Sequence, residues 1–317
     1  MKKILITRKL IASSEKLASE IFDAKLNKKD KILTGEEIIK ASAGCDGILS
    51  SLTEKFDSNL ISKLPGTIKI ISNFAVGFGN IDIEAAKKKN ITVTNTPDVL
   101  TEATAEIAML ILLGAARRAK EGSQWANKKN WKWSADFLTG KQLTGARLGI
   151  LGMGRIGRAV ADKAKSFGMI IHYHNRSQLN KNLEKGAIYH NNLESLLSVS
   201  DFFSINCPAT KETKHIINKK TLKHFPKGAV LSNSARGDMI DDEAMVESLK
   251  SGKIFSLGID VYNGEPNIHP EYLKLPNVFV LPHLGSATVT TRTAMGNLAV
   301  SNLEEFFKTG KCKNTVN

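Results

Sequence analysis

Short runs of apolar residues alternate with amphipathic segments along most of this chain. In its first third, the runs at residues 4–6, 47–49 and 68–71 predict buried strands. Segments 14–22 and 35–42 carry apolar residues at helical spacing, and a helix at 83–89 and a short strand at 91–95 follow. This rhythm predicts an α/β domain.

The second part of the chain repeats the rhythm on a larger scale. Strands are predicted at residues 148–151, 169–174, 202–206, 229–233, 256–260 and 279–281, and helices at 193–197, 219–224 and 242–251. Such alternation, from about residue 98 to about residue 282, predicts a doubly wound parallel sheet. A helix predicted at 101–119 is apolar on most faces, so we expect it to be buried between domains or at a subunit contact.

A glycine-rich turn follows the predicted strand at 148–151. Gly152, Gly154 and Gly157 have G-x-G-x-x-G spacing, and the residues up to 167 predict a helix. Gly152 would permit a tight turn, Gly154 would let the backbone approach a pyrophosphate, and Gly157 would let the helix pack closely on the strand. Because a strand and a helix flank the glycines as a dinucleotide-binding fold requires, the turn predicts a dinucleotide site.

These patterns together predict the domain organisation. We expect an α/β protein with two Rossmann-like domains, one flavodoxin-like and one doubly wound and nucleotide-binding, each with a parallel sheet, joined by domain-crossing helices. Residues 1–97 plus 286–317 would form the substrate (catalytic) domain, because the last helix, at about 286–308, should return to the first region. Residues 98–285 would form the dinucleotide-binding domain.

The residues after the second strand of the nucleotide-binding region indicate the type of dinucleotide. NAD-binding folds usually place an acidic residue there for the ribose 2′-hydroxyl, whereas an arginine accommodates a 2′-phosphate. This chain reads His174-Asn175-Arg176-Ser177, and no acidic residue occurs between residues 167 and 183. A guanidinium and a hydroxyl suit a phosphate dianion. We therefore predict NADP(H) as the preferred cofactor and NAD(H) as the second choice.

Composition and charge change this interpretation little. Of the 317 residues, 42% are hydrophobic and 24% are charged, as in ordinary globular proteins. The net charge of +14 comes largely from scattered lysines, such as those at 87–89 and 128–129, which we expect on exposed faces. This charge favours an anionic cofactor and substrate, and we expect no binding to nucleic acid.

The cysteines and the apolar runs narrow the class of protein further. Cys45, Cys207 and Cys312 are far apart and lack metal-ligand spacing, so we expect no metal site, no disulfide framework and a reducing, cytoplasmic setting. The longest apolar run, at residues 107–116, is about half as long as a bilayer span. The sequence therefore predicts a soluble protein that does not bind membranes.

Three residues with useful chemistry follow predicted strands of the second region, where open α/β sheets bind ligands. Arg236 stands in a Ser-Ala-Arg-Gly turn, Glu265 lies in an Asn-Gly-Glu-Pro turn, and His283 lies in a Pro-His-Leu-Gly segment. Together they suit the reduction of a 2-oxo acid. His283 would give a proton to the carbonyl oxygen, with Glu265 fixing its tautomer, and Arg236 would bind the carboxylate and polarise the carbonyl.

A second group for the carboxylate is predicted in the first region. The glycine-containing loop at 73–80 follows the strand predicted at 68–71, so its N–H groups can point into a crevice. We expect the N–H groups of Val76 and Gly77 to hold the other carboxylate oxygen. The hydride would come from the nicotinamide.

Several longer segments match a known family in the right order. They are residues 73–82, 102–106, 149–157, 206–208, 234–237, 258–261, 264–266 and 282–288, within a resemblance that covers the chain from about residue 45 to about residue 300. On these segments the chain resembles the D-isomer-specific 2-hydroxyacid dehydrogenase family, most closely its glyoxylate/hydroxypyruvate reductase branch. The resemblance implies an NADPH-dependent reductase of glyoxylate and hydroxypyruvate that forms D-2-hydroxy acids and assembles as a homodimer through its nucleotide-binding domains.

The resemblance also implies roles for individual residues. The implied catalytic set is Arg236, Glu265 and His283, and the implied substrate contacts are Leu52, Val76, Gly77, Arg236 and His283. Asp260 is expected near the nicotinamide carboxamide. The expected cofactor contacts are Thr104, Gly152, Met153, Gly154, Arg155, Ile156, Gly157, Asn175, Arg176, Ser177, Cys207, Pro208, Thr213, Ala235, Arg236, Asp260, His283 and Ser286.

Two features of the resemblance bear on partners and cofactor. Trp133 resembles an aromatic residue that reaches toward the partner subunit's active site, although a core or surface tryptophan is the alternative. His174 stands where many family members keep an acidic residue, which puts a preference for NAD in doubt.

Alternative functions fit the same motifs. The same fold acts on other small anions, such as formate or phosphite, and on bulkier 2-oxo acids, and Leu52 with the loop at 76–78 does not decide between them. A nucleotide-sensing scaffold is an alternative of another class, because related corepressors keep the fold and the three catalytic residues while their task is partner binding.

Overall fold

A computed structural model of the protein describes residues 1–128 and 130–317. The chain folds into two compact units, one formed by Met1–Leu100 with Ala287–Asn317 and the other by Thr101–Ser286. Of the two lysines predicted to be exposed at 128–129, Lys128 is exposed and places its Nζ 3.7 Å from the ring centroid of Trp125. Lys129 lies outside the described residues.

The described residues form the following elements in chain order. The strands are β1 (Lys3–Ile6), β2 (Asp23–Leu26), β3 (Gly47–Ser51), β4 (Ile70–Phe74), β5 (Thr92–Thr94), β6 (Arg147–Leu151), β7 (Ile170–His174), β8 (Ile188–Tyr189), β9 (Phe202–Ile205), β10 (Ala229–Asn233), β11 (Ile254–Ile259) and β12 (Val278–Val280). The helices are α1 (Ala12–Ile21), α2 (Gly35–Ala41), α3 (Ser58–Lys63), α4 (Ile83–Lys88), α5 (Thr101–Ala116), α6 (Ala119–Ala126), α7 (Arg155–Ser166), α8 (Lys181–Glu184), α9 (Leu193–Val199), α10 (Lys219–Leu222), α11 (Asp242–Lys250), α12 (Pro270–Lys274) and α13 (Val289–Thr309). A short 3₁₀ helix spans Gly237–Met239.

The first unit is built on a parallel sheet. Its strand order, β2-β1-β3-β4-β5, is that of flavodoxin-like folds. Helix α13 packs against α1 and β4, and Ile4, Ile70, Val300 and Leu303 are buried between these elements. Asn317 is also held in this unit, because the Val93 N–H donates to its Oδ1 at 2.8 Å.

Side-chain caps define several helix starts. Thr34 begins α2 with a capping box, in which it accepts from the Glu37 N–H and the Glu37 carboxylate accepts from the Thr34 N–H. Asp57, Asp82 and Asp241 accept from the first turns of α3, α4 and α11, respectively. These caps satisfy N–H groups that have no acceptor inside the helix.

The second unit contains the larger parallel sheet, in the order β12-β11-β10-β9-β6-β7-β8. The six strands from β6 to β11 follow the doubly wound order 3-2-1-4-5-6, and β12 extends it at one edge. Apolar residues are buried on both faces, as parallel sheets require. Helix α5 packs on β10, β11 and α7, so most of its apolar residues are buried inside this unit, whereas Leu110 is 46% exposed. The fold is therefore α/β with two parallel sheets, as predicted.

Some predicted boundaries differ from the structure. Strand β4 continues to Phe74, so Asn73 and Phe74 belong to the strand instead of the loop predicted at 73–80. Helix α5 ends at Ala116, three residues before its predicted end, and α6 follows it. No helix among the described residues is long and apolar enough to cross a membrane.

Candidate active site

The glycine-rich turn joins β6 to α7 in the second unit. Gly152 has a φ of +93°, and a Cβ atom there would lie 2.6 Å from Cα of Cys207. A Cβ on Gly157 would lie 2.1 Å from the carbonyl oxygen of Gly152. Neither position therefore accepts a larger side chain without a shift of the backbone, which explains the first and third glycines of the motif.

The middle glycine of the turn faces open space. Gly154 is the N-cap of α7 and makes no side-chain hydrogen bond, and a Cβ there would meet no atom within 4 Å. The first N–H groups of a helix attract anions because they lack acceptors inside the helix. Arg155 and Ile156 begin the helix, and the buried Met153 precedes Gly154. The turn thus has room and donors for the pyrophosphate of a dinucleotide.

The end of β7 approaches the same turn. The Met153 N–H donates to Oδ1 of Asn175 at 2.7 Å, which ties the two strand ends together. Arg176 and Ser177 are exposed next to Asn175, and within residues 1–128 and 130–317 no hydrogen bond reaches the Arg176 guanidinium. A hydrogen bond with Thr210 and, more weakly, the charge of Arg176 lower the pKa of Glu212. The guanidinium is available for a 2′-phosphate at this edge.

Other predicted cofactor residues surround the ends of β9 and β12. Oγ1 of Thr213 donates to the Pro208 carbonyl at 2.9 Å, and Oγ1 of Thr104, on α5, donates to the Gly285 carbonyl at 3.1 Å. Burial raises the pKa of the Cys207 thiol to about 11. Cys207 is therefore a neutral residue that packs beside the glycine-rich turn. Ser286, which follows Gly285, is partly exposed.

Arg236 lies in a turn that begins where β10 ends. Its Nη1 donates to the carbonyl of Ala235 at 2.6 Å. Burial lowers the pKa of Arg236, and the negative charges of Glu265 and Asp238 partly offset that effect. A Cβ on Gly237 would lie 2.1 Å from the carbonyl carbon of Tyr262, so this turn packs directly on the segment that carries Glu265. Arg236 is thus a half-buried cation close to an acidic residue.

Glu265 and His283 form a pair. Nδ1 of His283 lies 2.7 Å from Oε2 of Glu265, and Oε1 of Glu265 accepts from the Tyr262 N–H at 3.1 Å. Burial raises the pKa of Glu265, but the hydrogen bond and charge of His283, with the Tyr262 N–H and Arg236, hold it below its usual value. An ionised carboxylate only accepts hydrogen bonds, so Nδ1 is the donor. Nε2 remains for a ligand.

Asp260 holds the loop that carries His283. Its buried carboxylate accepts from the Leu284 N–H at 2.7 Å and the Gly285 N–H at 2.8 Å, and its carbonyl accepts from the His283 N–H at 2.9 Å. These bonds fix His283 with a φ of +57°, a left-handed conformation that is uncommon outside glycine. Burial raises the pKa of Asp260, partly offset by the Leu284 N–H and the charge of His283.

The structure thus brings three predicted residues to neighbouring strand ends. Arg236 follows β10, Glu265 follows β11 and His283 follows β12, and these strands are adjacent in the sheet. The arrangement offers a cation for an anionic ligand and a histidine that can exchange a proton through Nε2.

Sequence reasoning missed the side chain of Asn233, which is buried and bonds to the Arg236 turn. Only its position at a strand end, just before the Arg236 turn, hinted at this role.

The remaining predicted substrate residues lie in the first unit. Leu52, 44% exposed, follows β3, and Val76 and Gly77 follow β4. The carbonyls of Val76 and Gly77 accept from Asn95 at 2.8 Å and from Asn73 at 3.0 Å. In the part of the chain that the structure describes, no acceptor reaches the N–H groups of Val76 and Gly77. Those N–H groups are free to bind an anion.

Comparison with known proteins identifies the family. The sequence profile for the NAD-binding domain of D-isomer-specific 2-hydroxyacid dehydrogenases matches residues 109–285. Glycerate dehydrogenase of Hyphomicrobium methylovorum is 42% identical over 309 residues, which cover 96% of this chain and 96% of that protein. Glyoxylate reductase of Thermococcus litoralis is 39% identical over 320 residues, which cover 99% of this chain and 96% of that protein.

A solved structure gives the same result. The NADPH-dependent glyoxylate/hydroxypyruvate reductase of Sinorhizobium meliloti, crystallised with NADP and malonate, has a TM-score of 0.87 and 32% identity, covering 99% of this chain and 96% of that chain. The matches to the two relatives and to the solved structure extend over nearly the full length of the chain, and together with the profile match they confirm the family that its motifs predicted. The chain belongs to the D-isomer-specific 2-hydroxyacid dehydrogenase family, in its glyoxylate reductase branch.

Proposed function

We propose that this protein reduces small 2-oxo acids, such as glyoxylate and hydroxypyruvate, to D-2-hydroxy acids with NADPH. The observation that carries the proposal is the His283–Glu265 pair, with 2.7 Å between Nδ1 and Oε2, one strand away from Arg236 in the unit that holds the glycine-rich turn. Reduction of a 2-oxo acid requires a proton donor and a cation, and these residues supply both.

His283 is the proposed proton donor. Its Nδ1 is engaged by the Glu265 carboxylate, so Nε2 carries the proton that goes to the carbonyl oxygen of the substrate. The Glu265 carboxylate accepts from Nδ1 and keeps the ring oriented toward the substrate carbonyl. In the reverse direction, the neutral ring takes the hydroxyl proton.

Arg236 is the proposed anchor for the substrate. Its guanidinium binds the substrate carboxylate and polarises the carbonyl that is reduced. In the first unit, the unpartnered N–H groups of Val76 and Gly77 are the proposed donors to the other carboxylate oxygen, and Leu52 is the proposed apolar contact.

The glycine-rich turn and the strand ends around it fit a dinucleotide. The bound nicotinamide supplies the hydride. The space at Gly154 and the start of α7 suit the pyrophosphate, and Arg176 with Ser177 suits a 2′-phosphate. NADPH is therefore the proposed cofactor, with NADH as the second choice, and the S. meliloti relative is described as NADPH-dependent. Further proposed contacts are Thr104, Met153, Asn175, Cys207, Pro208, Thr213, Ala235, Asp260 and Ser286.

We propose that the enzyme works as a homodimer in the cytoplasm. All three cysteines, Cys45, Cys207 and Cys312, are free, which is consistent with a reducing compartment. Trp133 is 77% exposed, which makes it available to a partner subunit. Light scattering of the purified protein at several concentrations tests the dimer.

The reaction is tested by following the absorbance of reduced nicotinamide. Purified protein is mixed with NADPH or NADH and with glyoxylate, hydroxypyruvate or a bulkier 2-oxo acid such as phenylpyruvate. We expect fast oxidation of NADPH with the two small acids and slower oxidation of NADH. Tight binding of NADPH without turnover of any acid would contradict the reductase proposal and favour a nucleotide-sensing scaffold.

A further inference from the structure

Asn233, the last residue of β10, has no part in the chemistry proposed above, yet its side chain is completely buried and both its amide nitrogen and its amide oxygen form hydrogen bonds. Nδ2 donates to the carbonyl of Arg236 at 2.7 Å, and Oδ1 accepts from the N–H of Ala235 at 3.0 Å. Buried polar groups that lose a partner destabilise their surroundings, so these two bonds strongly constrain the turn.

The two bonds hold the Ser234–Ala235 and Arg236–Gly237 peptide groups, which flank the Ala235–Arg236 peptide on both sides. The backbone at Arg236 is extended, with φ −151° and ψ 146°, and its Nη1 donates back to the Ala235 carbonyl at 2.6 Å. The position of the guanidinium therefore depends on the position of the Ala235–Arg236 peptide. Asn233 constrains that peptide from both sides, because it holds the peptide groups before and after it.

The backbone of Asn233 connects this turn to the His283 loop. Its carbonyl accepts from the Asp260 N–H at 3.0 Å. Asp260 in turn holds the N–H groups of His283, Leu284 and Gly285. A continuous set of hydrogen bonds thus runs from the Arg236 turn to the loop of the proposed proton donor.

We infer that Asn233 is a positioning residue that sets the place of the Arg236 guanidinium and thereby the affinity for the substrate carboxylate. The inference rests on the proposed reduction of 2-oxo acids. It predicts that loss of the Asn233 amide weakens substrate binding more than nucleotide binding, because the lost bond holds the Arg236 carbonyl, whereas the glycine-rich turn and Arg176 follow other strands, β6 and β7.

The first test compares two asparagines. Asn233→Asp keeps the acceptor for Ala235 but loses the donor to Arg236. Asn277→Asp is the matched control, because Nδ2 of Asn277 donates to the Phe255 carbonyl at 2.9 Å just before β12, at the end of that strand opposite to the one that His283 follows. For Asn233→Asp we expect KM for glyoxylate to rise about tenfold or more, from the loss of one buried hydrogen bond, with the NADPH Kd changed less than about twofold. Asn277→Asp should leave both constants unchanged.

A double-mutant cycle identifies the residue through which Asn233 acts. In an Arg236→Lys background, Asn233→Asp should raise KM further by less than about twofold, because the positioned guanidinium is already gone. Full additivity of the two effects on KM would overturn the inference. If Asn233→Asp does not fold, Asn233→Ser removes both amide hydrogen bonds without adding a buried charge, and the same cycle applies.

Amide hydrogen exchange tests the inference without turnover. The peptide that spans residues 234–237 should exchange faster in Asn233→Asp than in the wild type, and at the wild-type rate in Asn277→Asp. If the wild type reduces no 2-oxo acid, the proposed function fails. The exchange result then still tests whether the Asn233 side chain holds the Arg236 turn. Unchanged exchange together with an unchanged KM would show that Asn233 does not position Arg236.

Discussion

Nδ1 of His283 lies 2.7 Å from Oε2 of Glu265, although the two residues are 18 positions apart in the chain. The contact exists because each partner is held separately, His283 by the bonds of its loop to Asp260 and Glu265 by the Tyr262 N–H. The pair is therefore held by hydrogen bonds of the protein itself, and Nε2 of His283 is the nitrogen left for chemistry.

Replacing the histidine tests its role as proton donor. His283→Gln should lower kcat for glyoxylate reduction by roughly 10²–10⁴-fold, because proton transfer to the carbonyl oxygen is lost. The Kd for NADPH, measured by fluorescence titration, should change little. His269→Gln is the matched control, since His269 forms another histidine–carboxylate contact, with Glu243 of α11 at 3.1 Å. Equal losses of kcat in both variants would contradict the assignment.

The pair also contributes to stability in a pH-dependent way. Burial raises the pKa of Glu265, but the hydrogen bond and charge of His283, with smaller contributions from the Tyr262 N–H and Arg236, hold this pKa below its ordinary value of 4.5. A carboxyl group with a lowered folded-state pKa stabilises the fold above its unfolded pKa, and this contribution is lost as pH falls through the folded-state value. The wild type should therefore exceed Glu265→Gln in free energy of unfolding at about pH 6, with the difference shrinking toward about pH 3.

Urea denaturation at each pH measures this difference. Each protein is unfolded under identical salt conditions, and only the difference between the two proteins is compared, because other carboxyl groups titrate in both. A difference that grows as pH falls would show that Glu265 is not held in its ionised form by His283.

Two substitutions in the glycine-rich turn distinguish an effect on folding from an effect on cofactor binding. Gly157→Ala places a Cβ 2.1 Å from the Gly152 carbonyl and should lower the free energy of unfolding by about 1–3 kcal/mol. Gly154→Ala meets no atom within 4 Å and changes only an N-cap, so its effect on stability should stay below about 1 kcal/mol. Gly154→Ala should nevertheless weaken NADPH binding about tenfold or more, because its methyl group occupies the space assigned to the pyrophosphate. An unchanged Kd in Gly154→Ala would place the cofactor elsewhere.

Arg176 is the proposed determinant of cofactor preference. Arg176→Asp should raise the Kd for NADPH about 10–100-fold, since a charge-assisted bond to the 2′-phosphate is replaced by repulsion. The Kd for NADH should stay the same or fall, because a carboxylate can accept from the ribose hydroxyls. Lys181→Asp makes the same change of charge on the nearby exposed start of α8 and controls for the general electrostatic effect. Similar losses of NADPH affinity in both variants would refute a specific role for Arg176.

The sequence predicted the elements whose residues are buried and apolar. Strand β10 has its predicted bounds because each of its residues is buried. Strand β2 escaped detection, since its residues Asp-Ala-Lys-Leu form a half-exposed edge without an apolar run. Strand β4 extends beyond its apolar run because buried Ser72 and Asn73 are satisfied by hydrogen bonds, for example from Ser72 Oγ to the Ala299 carbonyl at 2.9 Å.

The candidate site, like the fold, could be predicted only in part. Arg236, Glu265 and His283 could be located from the sequence because each lies in a short motif after a strand, and strand ends meet at one edge of a parallel sheet. The bonds of Asn233 and Asp260 could not be predicted, because they join backbone groups of loops that only the folded sheet brings together. Asp260, for example, reaches Gly285 across 25 positions of the chain.

The most direct test of the account follows the hydride itself. NADPH that carries deuterium at the transferable position of its nicotinamide is incubated with the enzyme and hydroxypyruvate, and the product is analysed by NMR and chiral chromatography. We predict D-glycerate with deuterium on carbon 2, since the hydride goes to the carbonyl carbon and His283 supplies only the oxygen-bound proton. Glycerate without deuterium on carbon 2, or of the L configuration, would contradict the proposed reaction.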